Sequence, residues 1–203
     1  LSLDPTNQNI LFNTTDLALT LGKHDLGIKV SEYVVALDPV SAMNHVYLGF
    51  QYLAAGRLDD AAEAFRAGLS LSPGYLGASF FLGQTLLLKG EPRAALEAMR
   101  AESSEAARLA GLAIAPHTLG QTHESNAALQ QLIERHENSA SYLIATALSW
   151  RGEADRAFEW LDKAATRHDS VLFTVTVDPL FANVHSDPRW ISFLRSHGLA
   201  PEQ

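Results

Sequence analysis

Apolar residues along this chain gather into helix-length stretches, and the turns between those stretches recur at a fixed interval. Leu3-Asp4-Pro5, Leu37-Asp38-Pro39 and Leu71-Ser72-Pro73 nearly repeat one another, with their prolines 34 residues apart. Gly22, Gly56 and Gly90 keep the same interval, as do Leu48-Gly49 and Leu82-Gly83. A generic bundle predicts amphipathic helices but no fixed period. The pattern predicts repeated helix pairs over residues 1–103.

Each recurring residue has a physical task. Gly49 and Gly83, like Ala61 and Ala95, stand where two helices cross, and a larger side chain would push the helices apart. Tyr52 and Phe65 fill the space between one pair and the next. Gly56 and Gly90 end the first helix of a pair, where a residue without Cβ turns left-handed cheaply. Pro73 cannot continue a helix and marks the turn to the next pair.

The unit 42–75 carries Leu48-Gly49, Tyr52, Gly56, Ala61, Phe65 and Pro73, with His45 at a Trp position and Gly68 at a small-residue position. This resembles the tetratricopeptide pattern L-G-x2-Y…A-x3-F…P, which also has a 34-residue period. The next unit offers Leu82-Gly83, Leu86, Gly90, Ala95 and Met99. The preceding one offers only Gly22, Gly27, Val34 and Pro39. The resemblance implies an all-α fold, a right-handed superhelical solenoid of helix-turn-helix repeats. The units with the clearest pattern are 8–41, 42–75 and 76–103.

Beyond Glu102 the period slips. Residues 104–120 with 123–137, and 139–151 with 154–167, read as two degenerate helix pairs within the units 104–137 and 138–170. Pro116 falls inside one of these helices, where it removes the bond to the Leu112 carbonyl and predicts a kink. The run 171–177 is β-branched and extended in character. Asp178-Pro179 and Asp187-Pro188 are helix starts, Asp as N-cap and Pro at the first helical position. The second of these helices is expected to reach His197 and stop at Gly198. Leu180, Phe181 and Val184 on one short helix, and Trp190, Ile191, Phe193 and Leu194 on the next, form apolar stripes. Segment 171–203 is therefore expected to supply a C-terminal cap anchored by Trp190.

The segment 152–161, followed by Asp178-Pro179-Leu180-Phe181 and Asp187-Pro188-Arg189-Trp190, is similar to the ends of tetratricopeptide arrays that close bacterial multidomain signalling proteins. Those join such an array to an adenylate cyclase, a winged-helix regulator or a kinase domain. None of those domains is within this chain.

Composition narrows the chemistry. The 203 residues are 47% apolar, and 15 basic against 23 acidic residues give a formal charge of −8. That balance, with no Lys/Arg cluster, argues against nucleic-acid binding. There is no cysteine, so thiolate chemistry and disulfides are excluded. No apolar run approaches a membrane span. Leu1 in place of Met marks a fragment or a processed form, expected to be cytoplasmic, or periplasmic if the parent has an upstream span.

The eight histidines lack metal-ligand spacing, His117 and His123 being six apart. Asp59-Asp60, and Glu102 with Glu105, fit helix N-termini, and Ser103-Ser104 fits a helix cap. There is no G-x-S-x-G, Walker loop or G-x-G-x-x-G. No catalytic residue, cofactor or metal is expected.

The first helix of each pair is expected to line a concave groove showing Met43, Val46, Phe50, Leu53, Phe80, Gln84, Leu87, Leu109 and Leu112. The basic clamp that holds a terminal carboxylate in chaperone-binding relatives is absent. An apolar peptide or helix is the expected ligand. The alternatives are that the chain's own tail covers the groove, or that a second copy does, making the array a homo-oligomerisation module. The favoured function is a protein–protein interaction scaffold, the regulatory or sensing part of a signalling protein.

Overall fold

The computed structural model of the chain describes residues 6–199. Ten helices come in consecutive pairs: α1 (Gln8–Thr20) with α2 (His24–Leu37), α3 (Ala42–Ala54) with α4 (Leu58–Leu71), α5 (Ala78–Leu88) with α6 (Pro92–Arg100), α7 (Glu105–Thr118) with α8 (Thr122–His136), and α9 (Ser141–Trp150) with α10 (Ala154–Thr166). Two 3-10 segments, Leu172–Thr174 and Pro179–Val184, and a last helix α11 (Pro188–Ser196) follow. The described residues contain no strand. The tripeptide 3–5 lies outside them.

Close helix crossing sets the geometry. A Cβ on Gly49 would lie 2.8 Å from the Phe65 ring, and one on Gly83 would lie 2.5 Å from Met99 Cγ. Ala61 and Ala95, across the crossing, are wholly buried. Gly56 turns the chain at φ +73°. Its N–H bonds the Leu53 carbonyl while the Arg57 N–H reaches back to Tyr52, which satisfies two orphan carbonyls at the end of α3. Gly22, Gly90, Gly120 and Gly152 take the same left-handed conformation.

Aromatic residues join one pair to the next. Tyr52 donates to Glu32 Oε1 on α2 at 2.8 Å, and burial together with that carboxylate pushes its pKa up to about 12. Phe65 stacks on Phe81 of the following pair, centroids 6.0 Å apart.

The slip in the period has a definite seat. α6 has 9 residues where α2 and α4 have 14 each, so about one and a half turns are missing there. The shortened connection brings Glu102 beneath α5, whose N-cap Gly77 has no side chain to offer. Glu102, 2% exposed, accepts from the Gly77 and Phe80 N–H groups at 3.0 and 3.1 Å, and from Ser104 N–H at 2.8 Å. Glu102 thus caps a helix 25 residues upstream, not the helix beside it in sequence. Pro116 falls in the last turn of α7, which runs only to Thr118, so the lost hydrogen bond costs little.

The tail departs from one expectation. Residues 171–177 are not extended: Thr174 and Val175 N–H groups bond the carbonyls of Val171 and Leu172, and Asp178 N–H bonds that of Thr174. With no strand beside them, the backbone groups are satisfied by local turns, which overrides β-branched propensity. Asp178 and Asp187 cap their helices, accepting from Leu180 and Arg189 N–H groups. Arg189 and that N–H bond hold the Asp187 carboxyl down at about 2. α11 ends at Ser196, with Gly198 at φ +68° just beyond.

The Gly49 crossing yields a prediction. Phe65 is fully buried and stacked on Phe81, so it cannot yield to a new methyl. Gly49→Ala should cost about 1–3 kcal/mol in urea unfolding and Gly49→Leu should prevent folding. Gly56→Ala, in open space but at positive φ, should cost about 1 kcal/mol or less.

Candidate binding groove

Counting back from each left-handed glycine identifies the equivalent positions on the first helix of every pair. Ten residues before it stand Phe12, Val46, Phe80, Ala110 and Tyr142, and six before it stand Asp16, Phe50, Gln84, Ile114 and Thr146. These two rows run along the inner face of the array.

At the N-terminal end the rows are lined by half-open aromatics. The Phe12 and Tyr47 rings sit 4.8 Å apart, and Phe50 meets Phe81 edge-on at 5.1 Å. Phe12, Phe50 and Phe81 are half-buried and Tyr47 is exposed. Burial raises the Asp16 carboxyl pKa. Burial, then the Asp16 charge and Tyr75, raise that of the Tyr47 hydroxyl. Asp16 thus lies beside the Tyr47 ring, and among the described residues it makes no ion pair.

At the C-terminal end the chain's own tail occupies the face. Gln84, 1% exposed in an otherwise apolar helix, donates from Nε2 to Asp178 Oδ1 at 2.7 Å. The Tyr142 hydroxyl donates to Asp178 Oδ2 at 2.9 Å and lies 3.1 Å from Thr174 Oγ1. Neutral donors alone hold this carboxylate. Burial raises the Asp178 pKa against the opposing pull of those hydrogen bonds. The helix Pro179–Val184 packs on α9, with Phe181 5.4 Å from Tyr142 and 6.2 Å from Trp190. Asn183 Nδ2 donates to the Ser149 and Trp150 carbonyls that α9 leaves free at its end. The turn Leu172–Thr174 reaches α1, so the tail spans the inner face from the last pair to the first. α11 lies along α10, where Arg189 pairs with Asp155 at 2.9 Å and covers the Phe158 ring.

This arrangement sorts the residues expected in the groove. Val46, Leu53, Phe80, Gln84 and Leu87 are buried, and the first, second, third and fifth share one apolar cluster with the tail's Leu172, Val175 and Phe181. Met43 and Phe50 are half-buried. Leu109, buried, and Leu112, half-buried, line a cleft with Pro116, Gln121 and Ala128 between α6 and α8. Counting back from Gly120 puts Ala110 and Ile114, not Leu109 or Leu112, at the positions equivalent to Phe80 and Gln84. Tyr142 and Asp178 were not singled out as partners, although the same count from Gly152 reaches Tyr142.

A cleft of about 510 Å³ lies between α8 and α10. Its charges are spent internally, Arg151 holding Asn126 Oδ1 at 2.6 Å and Glu153 at 2.7 Å. No group of three or more His, Asp or Glu among the described residues is placed to hold a metal. No described helix is long and apolar enough to cross a membrane.

Two predictions follow from the docked tail. A chain ending at Ser170 should melt lower and associate, because it uncovers Gln84 and Tyr142. Trp190→Ala should reproduce part of the loss, about 3 kcal/mol. The pH dependence has a definite sign. Burial raises the Asp178 pKa above 3.8 in the folded chain, so its contribution is fully present below that value and is lost as pH rises through the folded pKa. The melting temperature of the parent relative to Asp178→Asn should therefore fall as pH rises from about 4.

Sequence profiles described as tetratricopeptide repeat match residues 52–108 in one case, and 12–75 and 118–170 in another. No curated protein matches the chain. Among solved structures, a crystal structure of MamA aligns with TM-score 0.54 at 22% identity, covering 77% of this chain and 95% of that one. A second MamA structure gives 0.55 at 22%, covering 83% and 94%. YrrB, described as a TPR protein with an unusual peptide-binding site, gives 0.50 at 19%, covering 80% and 87%. These likenesses show the fold, and the second profile alone spans more than half the residues. The chain belongs to the tetratricopeptide repeat family.

Proposed function

We propose that this array acts by binding, not by catalysis, and that it takes an apolar peptide bearing a Lys or Arg in the N-terminal half of its inner face. One observation carries the reading: Phe12, Tyr47, Phe50 and Phe81 stay partly open along this half of the face, with the Asp16 carboxylate close enough to act on the Tyr47 hydroxyl. Aromatic faces supply apolar area and attract a cation, and a nearby carboxylate completes the pairing. The overall charge of −8 favours the same sign of ligand. Peptide binding is the described property of the neighbour YrrB, and fold likeness alone supports only the class of function.

The tail restricts the site. Because the tail's Asp178 holds Gln84, and Phe80 and Leu87 are buried in the core, a ligand meets Met43, Tyr47, Phe50 and Phe81 first. The similarity of the segments 152–161, 178–181 and 187–190 to array ends in bacterial signalling proteins supports a regulatory or sensing role for the array within a larger protein.

Selection of a phage-displayed peptide library on the purified chain tests the ligand class. Enriched peptides should be apolar with at least one basic residue. Their binding should weaken at least about tenfold with Phe50→Ala, the loss of one buried ring contact being worth 1.4 kcal/mol or more. Asp16→Asn should remove the preference for the basic residue while apolar binding persists. Enrichment that both variants leave unchanged would move the site away from this face.

A further inference from the structure

The two ends of the solenoid are finished differently. At the C-terminal end α11 turns Arg189, Ser192 and Arg195 to solvent and buries Trp190, Phe193 and Leu194. The N-terminal end has the opposite character. Ile10, Leu17 and Leu21 on α1 are 39, 59 and 61% exposed, and Leu26 and Tyr33 on α2 are 48 and 42% exposed. On each helix they fall at i, i+7 or i, i+7, i+11, which is one continuous stripe.

The repeat shows what this stripe is for. Thirty-four residues on, the equivalents of Ile10, Leu17 and Leu21 are Asn44, Gln51 and Ala55. Asn44 Nδ2 bonds the Val34 and Asp38 carbonyls, and Gln51 Nε2 bonds the Thr15 carbonyl. That face of a first helix thus meets the preceding pair. The equivalents of Leu26 and Tyr33 are Asp60 and Ala67, which border the cleft facing Val35 on α2. Inside the array these positions are polar or small even where they are covered. On the first described pair they are large and apolar, the reverse of what a water-facing surface needs.

We propose that this N-terminal face is an interface between two copies of the chain, packed face to face about a two-fold axis. The outer side of α11, where Ile191 is the one exposed apolar residue among Arg189, Ser192 and Arg195, does not complement the apolar stripe, so head-to-tail stacking is disfavoured and the face meets its own copy. The five side chains expose roughly 500 Å² per copy, so a symmetric pair removes about 1,000 Å², the lower size of a specific interface. An interface of that size fits a dimer that dissociates in the micromolar range. This face lies at the end of the array and is independent of the inner-face reading.

Sedimentation equilibrium of the chain from about 1 to 100 μM, a range bracketing a micromolar Kd, should show a monomer–dimer equilibrium. Leu17→Glu and Tyr33→Glu should each raise the dimer Kd at least about 100-fold with unchanged helical circular dichroism, because symmetry buries each new charge twice. Ile191→Glu on the closed end should leave the Kd unchanged. The chain has no cysteine, so Leu17→Cys gives a single thiol. A short bis-maleimide should cross-link Leu17→Cys into dimers and leave an Ile191→Cys chain monomeric. A parent chain that stays monomeric across the range overturns the proposal and leaves the face to a different helical partner. A dimer that survives both Glu variants, or that Ile191→Glu breaks, overturns it as well.

Discussion

The architecture depends on how closely the two helices of a pair can approach. Gly49 against Phe65 and Gly83 against Met99 leave no room for a single added methyl, and that contact sets the tilt each pair hands to the next. Gly111, on the first helix of the fourth pair, presses on the same Met99 from the other side. One flexible thioether thus serves two crossings, which suits a junction where the period has lost more than a turn. Elsewhere the rigid stack of Phe65 and Phe81 does this work. The regular part of the array uses an aromatic ring at the crossing, and the irregular part uses a side chain that adapts.

On the inner face, polar groups decide what is open. A glutamine buried in α5 and a tyrosine in α9 would each cost free energy if unpaired. Asp178 pairs with both, which fixes the tail to two helices at once. No cation takes part, so the carboxylate is held by dipoles, and its raised pKa reflects that environment. Toward the N-terminus no such hook exists, and aromatic rings remain open beside Asp16. The division of the face into a covered half and an open half therefore follows from where hydrogen-bond partners are available.

Much of this was legible in the sequence. The 34-residue spacing of Gly22, Gly56 and Gly90 located three helix pairs, and Asp-Pro pairs located both tail helices. The inner face was read less well, and the reasons are physical. Residues are missing from α6, and a helix face rotates by about 100° for each residue of slip, so the inner-face positions of α7 can be counted only from Gly120, which the clear 34-residue spacing does not reach. The run 171–177 looked extended because β-branched propensity is a weak guide where no neighbouring strand exists. The pairing of Asp178 with Gln84, 94 residues apart, carries no local signal at all. Glu102 was legible as a capping residue, but not as the cap of a helix far upstream.

The reach of the turn Leu172–Thr174 to α1 has a consequence for how the chain folds. A linear solenoid has contacts only between neighbouring units, so it can fray from either end and its parts can melt separately. Here the last segment touches the first helix, about 160 residues away in sequence, which closes the row of units upon itself. Loss of either end then removes contacts at the other. The nearest-neighbour description fails, and the unfolding transition gains cooperativity beyond that of an open array of five units. The cost is kinetic: closure waits on a contact of very long sequence separation, which slows folding relative to its local helix pairs. What distinguishes this array energetically is a contact between its last and first described segments, through which loss at one is felt at the other.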